Sequence, residues 1–171
     1  MRLAQAGLVV AVALALTGPR AFADAPGGSD LELVTRARAA LGDLHAFERL
    51  NDEVVRRCHE PVTGAYADWR EESHADLERA HALAKALRRR AGEDTHEPAI
   101  DQQLKQFTDV EGQALFSRCL RWSTLLIQRE SPIRADAAAR LGFLRDNEAR
   151  LRAILGNDAE WQEWRAAGSL P

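Results

Sequence analysis

Ser131–Gly156 reads SPIRADAAARLGFLRDNEARLRAILG, and its punctuation decides the fold class. The Ser131 hydroxyl suits an N-cap. Pro132 suits the first helical position, where no amide donor is needed and the fixed φ is already helical. Ile133, Ala137, Leu141, Leu144, Leu151 and Leu155 then recur at steps of three, four or seven residues, so they share one helical face. Gly156 closes the run. The stretch is predicted as one amphipathic helix from Pro132 to Leu155.

The same pattern extends in both directions. Upstream, a third helix runs from Pro98 to about Arg129, with Ile100, Leu104, Phe107, Leu115, Cys119, Trp122 and Leu126 on its inner face. A polar linker, Glu93 to Glu97, separates it from a second helix between about Ala65 and Arg90, which is stopped by Gly92. That helix offers Tyr66, Trp69, Leu77, Ala80, Ala84 and Leu87. Pro61 and Gly64 break the chain before it, and a first helix, opened by the capping box Ser29-x-x-Glu32, reaches about Cys58. Its face is Leu44, Phe47, Leu50, Val54 and Cys58. Downstream of Gly156, a short helix from about Asp158 to Ala167 carries Trp161 and Trp164. No stretch alternates as a strand does, and no Asn-Gly hairpin turn occurs. The expectation is an all-α fold: an antiparallel four-helix bundle, irregular or hooked, with a short fifth helix at the C-terminus.

Two cysteines, Cys58 and Cys119, both fall on inward faces, and together they predict one inter-helix disulfide between helices one and three. Their spacing excludes a C-x-x-C redox motif. Closing a loop of about 60 residues stabilises a fold by roughly 4 kcal/mol in the chain-entropy model. Straight helices do not quite allow the bond. At 1.5 Å per residue, Cys119 falls about two turns short of Cys58, so a bend, a shorter second helix or a hooked first helix is required.

The N-terminus predicts export. Arg2 supplies a positive start, Leu8 to Leu16 (LVVAVALAL) an apolar core, Gly18-Pro19 a helix break, and Ala21-Phe22-Ala23 a small-x-small cleavage signature. Residues 1–23 are therefore expected to be a cleavable signal peptide, leaving 24–171 as a single helical domain. The apolar stretch is too short for the roughly 20 residues that a spanning helix needs, so no integral membrane segment is expected in the mature chain. A periplasmic or secreted location also suits a disulfide.

Charge narrows the partners. With 23 Lys and Arg against 26 Asp and Glu, interspersed, the chain has no basic face for nucleic acid or an anionic membrane. The dense run Arg88-Arg89-Arg90 sits at a helix end, where cations complement the dipole.

Three constellations carry possible chemistry. Glu71-x-x-His74 and Glu78-x-x-His81 repeat a di-iron spacing, but on one helix, leaving His74, His81 and Glu78 as weak metal candidates on a solvated flank. Glu111, Arg118 and Glu148 interrupt apolar faces and are expected as an interior polar cluster, either a ligand pocket or a register-fixing ion group. Trp161 and Trp164, three apart, either dock on the bundle as a lid or form an aromatic patch that anchors a partner.

No haem attachment motif, no G-x-S-x-G and no methionine beyond Met1 occur, so neither a cofactor nor an enzyme is the expectation. What the sequence points to is an exported, non-enzymatic binding module whose partner is another envelope protein. A metal- or small-ligand-binding bundle is the alternative.

Overall fold

The computed structural model describes residues 29–60, 62–91 and 100–167, the side chains of 100 and 101 excepted. The leader, the linker after the second predicted helix and Pro98 lie outside these residues. Among the described residues there are eight helices and no strand: α1 (Asp30–Cys58), α2 (Val62–Glu72), α3 (His74–Ala91), α4 (Ile100–Thr108), α5 (Gly112–Ile127), α6 (Pro132–Asp146), α7 (Glu148–Gly156) and α8 (Asp158–Ala166). None of them is long and apolar enough to cross a membrane.

The predicted caps are in place. The Ser29 hydroxyl accepts from the Glu32 amide at 3.2 Å, and the Ser131 hydroxyl accepts from Arg134 at 3.4 Å. Three of the predicted helices, however, are each broken in two. The second runs from Val62 rather than Ala65 and is interrupted at Ser73. The fourth is interrupted at Asn147, whose side-chain amide donates to the Phe143 carbonyl at 2.8 Å. That bond competes with the backbone ladder, as Asn characteristically does. The third is interrupted at residues 109–111. There Gly112 has φ +56, a left-handed conformation that costs a side-chain-bearing residue about 1 kcal/mol or more.

This third break closes the gap in disulfide register. Arg57, next to Cys58, donates to the carbonyls of Phe107 and Val110 at 3.3 and 3.4 Å, so the α4–α5 junction lies level with the end of α1. About two turns into α5, Cys119 then reaches Cys58, and the sulfurs bond with their Cα atoms 5.6 Å apart. His59 follows at φ +50. Its carbonyl accepts from the amides of Val62 and Thr63, both at 3.1 Å, which turns the chain into α2. The His59 side chain is exposed, as its position beside an inward Cys58 requires.

One hydrophobic cluster draws on all eight helices, and α1 runs through it, touching α2 to α7. Nearly all the predicted inward residues are buried in it, from Leu44 and Val54 to Leu151 and Leu155, while Phe47, Ala84, Leu104 and Leu115 are half-buried. Inside it, Asn51 and Trp122 satisfy each other. Trp122 Nε1 donates to Asn51 Oδ1 at 2.9 Å, and Asn51 in turn donates to the Phe47 carbonyl at 2.8 Å. Phe107 meets Trp122 edge-on with ring centroids 5.7 Å apart, tying α4 to α5.

Candidate interaction face

The predicted interior cluster does not form. Glu111 is exposed at the N-cap of α5, and Arg118 is exposed, donating to the Gln106 carbonyl across the α4–α5 break. Glu148 is half-buried at the start of α7 and pairs with Arg152, one turn on, at 2.8 Å. Glu111 falls in the break between α4 and α5, while Arg118 and Glu148 stand at the edges of the buried faces of α5 and α7 rather than within them. A different group is buried in their place. Arg140 is 1 % exposed, and its guanidinium is clamped between Asp43 of α1 and Asp136 one turn earlier on α6. Every charge there is compensated, as burial demands, and the group fastens α6 to α1.

The tryptophans are not a surface anchor. Trp161 is 1 % exposed, and its indole N–H donates to the Ile154 carbonyl at 2.8 Å. Trp164 is half-buried and meets Trp161 edge-on at 5.2 Å. Arg90 and Asp158 form an ion pair, and Arg165 donates to the Arg90 carbonyl, so α8 is docked on the ends of α3 and α7. Burying the indoles outweighs leaving them in water, which makes α8 a lid.

His74, His81 and Glu78 are exposed along α3, where with Arg70, Glu71 and Leu77 they line a shallow groove of about 290 Å³. His81 Nε2 lies 2.8 Å from Glu48 of α1. Among the described residues no three His, Cys, Asp or Glu side chains are grouped to hold a metal ion.

What stands out is a face the sequence reading passed over. The large exposed apolar side chains among the described residues all belong to α5: Phe116 (56 % exposed), Leu120 (43 %) and Ile127 (62 %). At spacings of four and seven they form one stripe, about three turns long, along a shoulder of the helix. The adjoining face, about 100° round the helix, holds Cys119, Trp122 and Leu126 in the core. α5 is the most apolar of the helices because it is apolar toward the core and toward solvent at once.

Three attachments hold this face rigid. The Cys58–Cys119 bond fixes its middle. Arg57 holds the junction just before it. At its end, Arg134 donates to the carbonyls of Leu126 and Ile127 at 3.0 and 3.5 Å while pairing with Glu72 of α2. The hydrogen bond and charge of Arg134 hold the Glu72 carboxyl below its ordinary value of 4.5. Deeper between α1 and α2, burial followed by the Asp52 and Glu48 carboxylates pushes the Tyr66 phenol up, so it stays protonated and donates to the Glu48 carbonyl. None of these groups is arranged as a nucleophile beside a base.

No protein-family model matches the chain, and no curated protein or solved structure matches it.

Proposed function

We propose that this protein is an exported, non-enzymatic interaction module of the cell envelope, periplasmic or secreted, whose docking surface is the outer face of α5. The observation that carries the reading is the concentration of Phe116, Leu120 and Ile127 on one rigid stripe. Together they offer on the order of 300 Å² of contiguous apolar surface, a size at which patches on monomers are often functional. Apolar side chains scattered singly need no such account. In this reading the kinked helical arms form an irregular antiparallel four-helix bundle that serves as the scaffold, and α8 seals one end. Export is supported by the leader-like residues 1–23 and by the disulfide, a bond that persists in oxidising compartments.

The test is a photo-crosslinking side chain placed at position 120, and for comparison at the exposed Arg89 on α3, in cells of the source organism. A discrete adduct from position 120 that is absent at 89 and abolished by Phe116→Ser is the expected result. Identical adducts from both positions, or none from 120, would refute the reading. N-terminal sequencing of the recovered protein is expected to start at Asp24.

A further inference from the structure

We draw no further inference here: the strongest candidate, the exposed apolar stripe of Phe116, Leu120 and Ile127 along the shoulder of α5, is the face already described, and nothing in the structure shows what covers it.

Discussion

Replacing both cysteines by alanine, Cys58→Ala/Cys119→Ala, removes the one covalent link between α1 and α5. The bond closes a loop with a sequence separation of 61. For a loop of that length, chain entropy gives about 14 cal/mol/K, or about 4 kcal/mol at 25 °C, of destabilisation lifted from the unfolded state. Alanine is preferred to serine because both sites are buried, and a hydroxyl there would lack a partner. Sulfur-sized voids add on the order of 1 kcal/mol. A domain of this size loses about 2–4 °C of Tm per kcal/mol, so the melting temperature should fall by roughly 10–20 °C. The native fold should survive, because Trp122–Asn51 and Phe107–Trp122 still join α5 to its neighbours. Urea titrations of the two proteins, followed by far-UV circular dichroism, measure the difference. The denaturant slope should also rise, since the uncrosslinked chain expands further on unfolding. A loss below about 1 kcal/mol with an unchanged slope would refute the reasoning, for the loop would then already be held closed in the unfolded ensemble.

Arg140→Met leaves Asp43 and Asp136 facing each other without their shared cation and should cost about 3–5 kcal/mol in urea titration. Adding Asp43→Asn and Asp136→Asn should recover most of that loss, and no recovery would show that the group is not an isolated ion cluster. Glu72 has a folded-state pKa below its ordinary 4.5, so its pairing with Arg134 contributes stability that is present above that pH and lost as pH falls through the lowered folded value. Thermal melts of wild type and Glu72→Gln should therefore differ slightly at pH 6 to 7, as solvent screening of so exposed a pair requires, and converge at strongly acidic pH. Trp161→Ala should detach α8 while the rest of the chain stays folded, seen as protease cleavage within residues 158–166 that wild type resists.

The elements that the sequence reveals are those governed by local chemistry and repeated spacing. Ser29 and Ser131 cap as their side chains require, and the inward faces of α1, α6 and α7 follow from apolar recurrence alone. The breaks at Ser73, 109–111 and Asn147 leave almost no trace in that recurrence, since an irregularity of one to three residues barely shifts the average period. Glu111 was misplaced through the break at 109–111, whereas Arg118 and Glu148 stand at the edges of buried faces, where spacing alone does not separate inside from outside. Arg140 was legible. It stands three residues after Ala137 and four before Leu144, within the stripe of its own helix, and a cation in that position calls for acids to compensate it, of which Asp136, one turn earlier, is in plain view. Phe116, Leu120 and Ile127 were legible too. The apolar arc of α5 is far wider than one core face can cover, and reading the helix as having a single inward face hid the excess.

That excess gains its meaning from the way α5 is held. An exposed apolar stripe on a frayed or mobile helix would mark a weak spot in the fold, open to aggregation. Here the stripe lies on a helix pinned at its middle by a disulfide, at its entry by Arg57 and at its exit by Arg134. Its side chains are presented on fixed backbone, so a partner does not have to order α5 in order to bind it. The ordering cost that reduces affinity for flexible recognition segments falls on the partner alone. A surface of on the order of 300 Å² is small for a lasting complex. Rigidity is therefore what suits these three side chains to the proposed recognition role, and it is supplied by the same residues that place Cys119 opposite Cys58.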